Sequence, residues 1–303
     1  MSLVVCKLPK AGLGNQLFPL MKASVFAHLN NMEVRVTGYN RLKIGPYLRR
    51  EKSKRKYSNS FTFQKNIISE QIEKWKIHGK GHYELISEPD VVKLPETVLP
   101  GKLFVFTETP HYRDLFAGLR EQHELVKTLF WNVLQSSVKK RLEKLQTPYI
   151  GVHVRMGDFP SLKEGENFNE VGQKRTPETY FIDIITRIRE VHGSTLPVTV
   201  FTDGYRHEFN KLFELENIEM AEGNPDIIDL LLLSRSKIIV TATGSTFSYW
   251  AGFLSEAPVI LHPDHIHQPH RGNPTLYEGA LDVHNDLLVQ SIRSIPYHQE
   301  AYK

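Results

Sequence analysis

Residues Tyr149–Asp158, which read YIGVHVRMGD, are an apolar run that ends in a histidine, an arginine and an aspartate. Such a run predicts a buried parallel strand, because strands covered on both faces are nearly continuous in Val and Ile. In open α/β sheets the carboxyl ends of the strands face the ligand crevice, so a cation at this end is aimed at an anion. Alternation places His153 and Arg155 on one side of the strand, and Val152 and Val154 on the other.

Two explanations fit Arg155. An ion pair with Asp158 across the turn after the strand would need no ligand. Anion binding is favoured by the rest of the chain, in which helix and strand patterns alternate and most strands end in small or polar residues. This alternation predicts a doubly wound parallel sheet.

The second half of the chain supplies the alternating elements. Thr176 is the predicted N-cap of a helix, with Pro177 in its first turn. The further predicted elements are the strand Pro197–Phe201 ending in Thr202-Asp203-Gly204, the helix Tyr205–Leu215, a helix from Pro225 to Ser236, the strand Lys237–Thr241, a helix from Gly244-Ser245-Thr246 to Leu254, and a last strand Pro258–Leu261.

The first half opens with an apolar run, Leu3–Leu8, followed by a glycine turn and a helical pattern. Pro19 fits the first turn of a helix, so Gly12–Gln16 are predicted to be loop and the helix to run to about Asn30. Leu17 occupies the place of the third glycine of a dinucleotide fingerprint, which disfavours a nicotinamide or flavin site.

Asn15 and Gln16 offer amide groups to a ligand from this turn. An N-cap role for Asn15 is the alternative. The remainder of the first half predicts irregular structure from residue 41 to 100 apart from a helix near Phe61–Ile77, then a strand Leu103–Phe106 and two helical segments in Leu115–Leu145.

A chain of 303 residues accommodates two domains. We expect a first lobe at 1–147 and a second at 148–303, whose tail could pack back on the first. The lone Cys6 and the lack of a leader or a membrane-spanning run predict a cytoplasmic protein.

The net charge of +4 is mild, but residues 41–56 read RLKIGPYLRREKSKRK, with Glu51 as their single acid. This segment is either a solvated loop or a patch for phosphates or an anionic membrane surface, so peripheral membrane association stays open. Aromatic residues are sparse there, and nucleic-acid binding is not expected. The sequence predicts no oligomeric state.

Ser245 and Thr246 lie where a predicted strand is followed by a helix, and the start of a helix binds anions. Capping of the helix by Ser245 is the alternative. With Arg155 they could hold a diphosphate without a metal. Asp203 and Asp229 are candidates for guanine, since one carboxylate accepts two adjacent N–H groups. A turn role for Asp203 and a first-turn helix role for Asp229 are the alternatives.

The segment HPDHIHQPH from His262 to His270 contains four histidines and an aspartate. Its spacing matches no standard zinc motif, and a polar loop after a strand would look similar. We therefore expect no metal. The residues concerned are His262, Asp264, His265, His267 and His270.

Three blocks, AGLGNQLF (11–18), HVRMGD (153–158) and DLLLLSRSKIIVTATGSTFSYWAGFL (229–254), resemble those of the inverting fucosyltransferases, most closely the α-1,2 group. The resemblance implies a GT-B type fold of two Rossmann-like lobes facing across a cleft, with 1–147 as the acceptor-side lobe and 148–303 as the lobe that binds the GDP-sugar. It also implies metal-independent transfer of fucose from GDP-fucose, with inversion, to a glycan that we expect to end in galactose.

The resemblance also implies roles for single residues. Arg155 would hold the donor phosphates beside His153 as a nucleotide contact, and Asp229 would contact guanine. The block of Ser245, Thr246 and Phe247 would lie on the phosphate side, and Asn15 would face the reaction centre. The chain departs from the family at Met156, where a second arginine is usual, and in Ser245–Trp250, where SSFSWW is usual.

The expected mechanism is direct displacement at the anomeric carbon by an acceptor hydroxyl, with Arg155 and the helix start stabilising the departing GDP. Asp158, Glu164 or Glu166 could serve as general base. A transferase for another nucleotide sugar and a catalytically inactive GDP-binding protein remain alternatives, and Met156 is the argument for the latter.

Overall fold

The computed structural model describes residues 2–40, 57, 59–64, 67–79, 83–157, 159–163, 165–166, 174–264 and 268–297. Contacts between Cα atoms divide the chain into two compact units. Of the described residues, those between 2 and 141 and at 270–272 form the first unit, and those between 142 and 269 and at 273–297 form the second.

The first unit contains a parallel sheet with the strand order β2-β1-β4-β3. Its strands are β1 Leu3–Lys7, β2 Val34–Thr37, β3 Glu84–Ser87 and β4 Lys102–Phe106. The helices described up to the unit boundary are α1 Leu13–Leu29, α2 Ile67–Gly79, α3 His123–Val133 and α4 Ser136–Leu142. Phe26 of α1 lies 4.8 Å and 5.6 Å, between ring centroids, from Phe104 and Phe106 of β4, so this helix covers one face of the sheet.

Helix α1 begins earlier than the sequence predicts. Gly12 is its N-cap and Leu13 its first residue, so the predicted loop Gly12–Gln16 is wrong, as is the N-cap role for Asn15. Pro19 lies inside the helix and not in its first turn, which is why the predicted helix start is too late. A proline there cannot donate to the carbonyl of Asn15. The hydroxyl of Thr109 donates to that carbonyl instead, at 3.4 Å, so the helix continues through the proline.

The region predicted to be irregular contains the short strand β3 and a loop that a single side chain ties down. The Asn30 amide nitrogen donates to the carbonyls of Phe26 at 2.8 Å and Val92 at 3.0 Å. Its amide oxygen accepts from the N–H of Leu94 at 2.8 Å. One buried amide thus satisfies backbone groups of a loop that lacks regular structure.

The second unit contains a parallel sheet with the strand order β10-β9-β8-β5-β6-β7. Its strands are β5 Ile150–Val154, β6 Val198–Thr202, β7 Ile218–Met220, β8 Ile238–Val240, β9 Val259–Ile260 and β10 Glu278–Gly279. Its helices among the described residues are α5 Glu178–His192, α6 Asp226–Arg235, α7 Thr246–Leu254 and α8 Asp286–Arg293. The α/β class with parallel sheets is confirmed, while two lobes facing across a cleft stay a prediction.

The core of the second unit confirms the alternation predicted for β5. Val152 and Val154 are buried in one hydrophobic cluster with Phe181 and Ile185 of α5. The ring of His153, which alternates with them, stacks instead on Phe247 of α7. The central strand is therefore buried on both faces, as its apolar sequence requires.

Three predicted elements of the second unit need correction. Pro177, not Thr176, is the N-cap of α5, because the Thr176 hydroxyl accepts from the N–H of Thr243 at 2.9 Å. Residues 205–215 form two short 3₁₀ segments, Arg206–Glu208 and Asn210–Glu214, instead of one α-helix.

Pro258–Leu261 does not contain the last strand, since β10 and α8 follow it. Leu288 and Ile292 of α8 join the hydrophobic cluster of the second unit. The His192 ring, at the end of α5, is 3.0 Å from the carbonyl of Ile295. No helix among the described residues combines the length and apolar character needed to span a bilayer.

Candidate functional site

The carboxyl ends of three neighbouring strands in the second unit bring predicted site residues to one edge of the sheet. β5 pairs with β6 on one side, where Val154 is opposite Thr202, and with β8 on the other, where Val152 is opposite Val240. Adjacent strands lie ~5 Å apart. Arg155, Asp203 and Ser245 follow these strand ends, so the sheet itself collects a cation, an acid and a helix start.

Arg155 forms an ion pair with Asp203 across the ends of β5 and β6. One guanidinium nitrogen donates to Oδ2 of Asp203, and Oδ1 of the same carboxylate accepts from the N–H of Met156 at 2.9 Å. The side chains are 20% and 14% exposed, so solvent still reaches the pair. Both oxygens of Asp203 therefore have partners within the protein, Arg155 and the Met156 N–H. These contacts favour neither guanine binding nor the turn role predicted for Asp203.

The loop after β5 folds closely over this ion pair. Gly157 has a φ of +25°, and a Cβ added there would collide with the Asp203 carboxylate and lie 3.3 Å from Cζ of Arg155. Cζ of Arg155 also lies 4.9 Å from the ring centroid of Phe159. The guanidinium is thus held between a carboxylate and an aromatic face, which restrains its orientation.

A second ion pair, which the sequence did not reveal, joins the same two loops. Nη1 of Arg175 lies 3.3 Å from Oε1 of Glu208, and Nε of Arg175 donates to the carbonyl of Phe159 at 2.7 Å. The other Glu208 oxygen accepts from the N–H of Tyr205 at 2.8 Å. These contacts fix the loop that carries Phe159 beside Arg155. Arg175 and Glu208 stand far apart in the sequence, and no local pattern marks them as partners.

His153 is a neutral, buried imidazole at the end of β5. It is 4% exposed, and its ring centroid lies 5.0 Å from that of Phe247. Burial, and secondly the charge of Arg155, lower the pKa of His153 to about 3. Its Nδ1 has no hydrogen-bond partner among the described residues. The ring can therefore give or accept one hydrogen bond without carrying charge.

This burial predicts an acid-dependent loss of stability. Below pH 6.5 the unfolded chain protonates His153, whereas the folded chain keeps it neutral down to about pH 3. The free energy of unfolding should therefore fall as pH is lowered from 6.5, by up to about 1.4 kcal/mol per pH unit for this group. Urea unfolding of wild type and His153→Gln at pH 7, 6 and 5 measures it. Parallel pH profiles of the two proteins would contradict the prediction.

The start of α7 lies beside β5. Ser245 is the N-cap residue, but its hydroxyl makes no capping bond, so the alternative of ordinary capping by Ser245 is wrong. Gly244 adopts the left-handed φ of +69°, and its N–H donates to the Tyr249 hydroxyl at 2.8 Å. No acid stands in the first turn of the helix, which contains Thr246 and Phe247. The helix dipole there favours an anion.

The two other polar candidates, Thr202 and Asp229, form different hydrogen bonds. The Thr202 hydroxyl accepts from the N–H of Gly204 at 2.9 Å, which stabilises the turn after β6. Asp229 lies in the first turn of α6, where its own N–H donates to the carbonyl of Pro225 at 3.2 Å. That position agrees with the helix-acid role and leaves the guanine role a prediction.

Of the three proposed general bases, Asp158 and Glu164 lie outside the described residues. Glu166 accepts from the N–H of Lys163 and from the Lys174 ammonium, each at 2.9 Å. These hydrogen bonds, that from Lys163 first, lower the pKa of Glu166. A carboxylate with a lowered pKa is a weaker base at neutral pH.

The two amide residues predicted to contact a ligand from the first unit, Asn15 and Gln16, have different surroundings. Gln16 is 6% exposed, and its amide nitrogen donates to the carbonyls of Pro9 and Ala11, each at 3.1 Å. It therefore braces the turn between β1 and α1. Asn15 lies in the first turn of α1 and is partly exposed.

The histidine-rich segment divides between the units. His262 is 3.9 Å from the Asp264 carboxylate in the second unit, whereas the ring of His270 packs 5.1 Å from that of Phe116 in the first. His265 and His267 lie outside the described residues. Across the ranges described, no three His, Cys, Asp or Glu side chains gather closely enough to hold a metal ion.

A cavity of about 210 Å³ lies on the side of β5 that carries Val154 and Met156. Arg175, Glu178 and Glu208 contribute its charged lining. Ligand pockets usually enclose roughly 300–1,000 Å³. The cavity is therefore too small for a whole nucleotide sugar, and the strand-end edge is the better candidate site.

Comparison with known proteins identifies a matching family and solved structures of similar fold. The model of glycosyl transferase family 11 matches residues 9–262. A crystal structure of NodZ α-1,6-fucosyltransferase soaked with GDP-fucose is similar, with a TM-score of 0.50 and 15% identity over 86% of this chain and 94% of that one. The Se-Met fucosyltransferase NodZ from Bradyrhizobium gives a TM-score of 0.51 at 15% identity with the same coverage. No curated protein sequence matches the chain significantly.

Proposed function

Because the chain belongs to glycosyl transferase family 11, we propose that it transfers L-fucose from GDP-fucose to a hydroxyl of a glycan. The observation that carries this proposal is the placement of Arg155 and the start of α7 at the ends of adjacent strands. A guanidinium and aligned helix N–H groups together suit a diphosphate. The donor named with the similar NodZ structure, GDP-fucose, supports the choice of nucleotide sugar.

The proposed reaction is a single displacement with inversion. The acceptor oxygen forms a bond to the anomeric carbon as the bond to the GDP oxygen breaks, and the acceptor proton passes to a general base. Negative charge develops on the diphosphate, where Arg155 and the first N–H groups of α7, from Thr246 and Phe247, stabilise it. In this proposal the diphosphate needs no metal ion.

Two neighbours of Arg155 support this role. Asp203 and the ring of Phe159 hold the guanidinium at the strand tip before the donor arrives, which reduces the ordering that binding requires. Neutral His153 offers a hydrogen bond beside the phosphates without adding charge. Ser245, whose hydroxyl does not cap the helix, adds a donor on the other side.

We assign guanine recognition to Asp229. An ionised carboxylate can accept from both the ring N–H and the exocyclic amine of guanine. Asp203 is the other candidate, but Arg155 and the Met156 N–H already contact its two oxygens. The resemblance of the block 229–254 to the fucosyltransferases supports the same choice.

Asp229→Asn should abolish the preference for GDP over inosine diphosphate, which lacks the exocyclic amine. A charged hydrogen bond contributes ~1.5–3 kcal/mol, so wild type should prefer GDP by at least about tenfold. Calorimetry with both nucleotides measures the ratio. Asp226→Asn, in the same first turn of α6, is the matched control and should keep the preference. If Asp203→Asn removed it instead, guanine would belong to Asp203.

The general base is proposed among Asp158, Glu164 and Glu166. Substituting each by its amide and measuring the pH dependence of the rate separates them, because only loss of the base should remove the acidic limb. The hydrogen bonds that lower the pKa of Glu166 place it last of the three.

Activity itself is tested by incubating the protein with GDP-fucose and a panel of galactose-terminated glycans, followed by linkage analysis. We expect an α-1,2 linkage to galactose, formed at an undiminished rate in the presence of a chelator. Residues 1–147 are proposed to select the acceptor and residues 148–303 to hold the donor. Turnover of another nucleotide sugar in place of GDP-fucose would overturn the assignment.

A second candidate function is GDP binding without catalysis, and the surroundings of Met156 favour it. Its side chain is 5% exposed and belongs to the hydrophobic cluster of the second unit, where it provides no second cation for the donor. Such a protein would bind GDP yet leave GDP-fucose unchanged with every acceptor. Product analysis beside calorimetry distinguishes the two functions.

A further inference from the structure

Two adjacent residues, Arg175 and Thr176, contact the loops after three neighbouring strands of the second sheet. Nε of Arg175 donates to the carbonyl of Phe159, after β5, at 2.7 Å, and its Nη1 lies 3.3 Å from Oε1 of Glu208, after β6. The Thr176 hydroxyl accepts from the N–H of Thr243, after β8, at 2.9 Å. Because β8, β5 and β6 are adjacent in that order, these two residues connect the loops along the whole candidate edge.

The backbone that carries these two side chains is itself fixed. The N–H of Arg175 donates to the carbonyl of Pro160 at 2.9 Å, and Ser161 and Arg175 form an isolated parallel bridge. Thr176 is 6% exposed. Pro177 then begins α5 as its N-cap, and the buried face of that helix lies in the hydrophobic cluster of the second unit. Both side chains therefore extend from a backbone anchored to the core, as residues that position other groups must.

The contact made by Arg175 acts on Arg155 through Phe159. Cζ of Arg155 lies 4.9 Å from the centroid of the Phe159 ring. The N–H of Phe159 donates to the carbonyl of Met156 at 3.0 Å, and its carbonyl accepts from Arg175. The place of the ring over the guanidinium thus depends on Arg175. A guanidinium with a fixed neighbour loses less conformational freedom when it binds an anion.

The contact made by Thr176 acts on the start of α7. Thr243 directly precedes Gly244, whose N–H donates to the Tyr249 hydroxyl, and the N-cap Ser245 follows. Thr243 is 1% exposed, so its backbone N–H is expensive to leave without a partner. The hydroxyl of Thr176 therefore holds the segment from which the helix begins.

We infer that Arg175 and Thr176 are positioning residues, which set the distance between the Arg155 guanidinium and the first N–H groups of α7. The inference rests on the proposed function, since these two groups are the ones assigned to the diphosphate of GDP. Two anion-binding groups hold a diphosphate together only at the separation that its phosphates require. An error of ~1 Å in such a site can cost about 100-fold in rate.

Nucleotide affinity tests the inference without requiring catalysis. Arg175→Gln and Thr176→Val should each weaken the binding of GDP by roughly tenfold, the size of one misplaced charged hydrogen bond. Neither should change the affinity for guanosine, which lacks the phosphates. Thr176→Ser keeps the hydroxyl and should bind GDP like wild type. Calorimetry measures GDP, and ligand-observed NMR measures the weaker guanosine. An equal loss for both ligands, or no loss for GDP, would overturn the inference.

A double variant separates positioning from direct contact with the nucleotide. In the Arg155→Ala background, Arg175→Gln should lower the affinity for GDP no further, because its effect passes through Arg155. Additive losses would mean that Arg175 binds the phosphates itself, and the positioning role would be wrong.

Arg189→Gln is the matched control for a merely structural role. Nε and Nη2 of Arg189 also donate to backbone carbonyls of two loops, those of Leu196 and Glu216, but these residues precede β6 and β7 at the opposite edge of the sheet. Arg189→Gln and Arg175→Gln should both lower the midpoint of urea unfolding, whereas only Arg175→Gln should weaken GDP binding. Equal GDP affinities of the two variants would contradict the inference.

The inference and the proposed function fail in different ways. If wild type binds GDP but transfers no fucose, the transferase activity is refuted, while the affinities above still decide the positioning role. If wild type transfers fucose, both variants should lower kcat and leave KM for the acceptor unchanged. Wild-type kcat in Arg175→Gln and Thr176→Val would refute the positioning role alone, and a wild type that binds no GDP would refute both.

Discussion

Arg155→Ala is expected to lower kcat/KM for transfer from GDP-fucose by about 10³-fold. The guanidinium stands at the tip of the central strand β5, beside the start of α7, and is the cation assigned to the departing diphosphate. Arg155→Lys should recover only part of the rate, because an ammonium keeps the charge but loses the planar, two-pronged contact with phosphate oxygens. Initial rates over a range of GDP-fucose concentrations measure the effect.

The loss must be separated from a loss of folding. Removing Arg155 leaves the Asp203 carboxylate, 14% exposed, without its cation, which costs stability. The double variant Arg155→Ala, Asp203→Asn should therefore regain stability in urea without regaining activity. Arg187→Ala removes an exposed arginine paired with Asp183 on α5 and should match wild type. Near-normal transfer by Arg155→Ala would refute the proposed mechanism.

Gly151→Ala should be strongly destabilising, lowering the free energy of unfolding by about 3 kcal/mol. Gly151 lies in the central strand β5, and a Cβ there would be 2.8 Å from Cδ1 of Leu233 and 2.9 Å from Cβ of Ser236. Neither the strand nor the end of α6 can move far without disturbing the sheet. Urea unfolding monitored by circular dichroism gives the value.

A second substitution tests the cause. Ser236→Gly removes the atoms closest to the added methyl group except Leu233, whose flexible end can rotate. The double variant should therefore be more stable than Gly151→Ala alone. Gly279→Ala, on the edge strand β10, meets other atoms no closer than 3.7 Å and serves as the control. If it were equally destabilising, the overpacking argument would fail.

Long patterns in the sequence were sufficient to predict most of the central elements. β5, β6, α6 and α7 follow from apolar runs with clear turn or helix-start signals. β3, β7 and β10 do not, because their residues, ELIS, IEM and EG, contain no apolar run like those that mark β8 and β9. α1 was misplaced for a different reason: the compensation for Pro19 comes from Thr109, which is distant in the sequence.

The individual residues of the candidate site were predictable from the sequence, but the ion pairs between them were not. Arg155, Asp203 and Ser245 each follow a recognisable strand, so their arrival at one edge follows from the parallel sheet. That Arg155 pairs with Asp203 depends on β6 lying next to β5, and the lateral order of strands leaves no mark in a single sequence. The ion pair between Arg175 and Glu208 could not be predicted for the same reason.

The carboxylate that holds Arg155 has a consequence for turnover. A nucleotide that binds at the strand tip shares its cation with Asp203, which is itself secured by the Met156 N–H. Under the proposed function, we expect the affinity for GDP to be lower than an arginine without a neighbouring acid would provide, so that the product leaves sooner. Where product release limits the rate of an enzyme, a lower affinity for the product raises kcat.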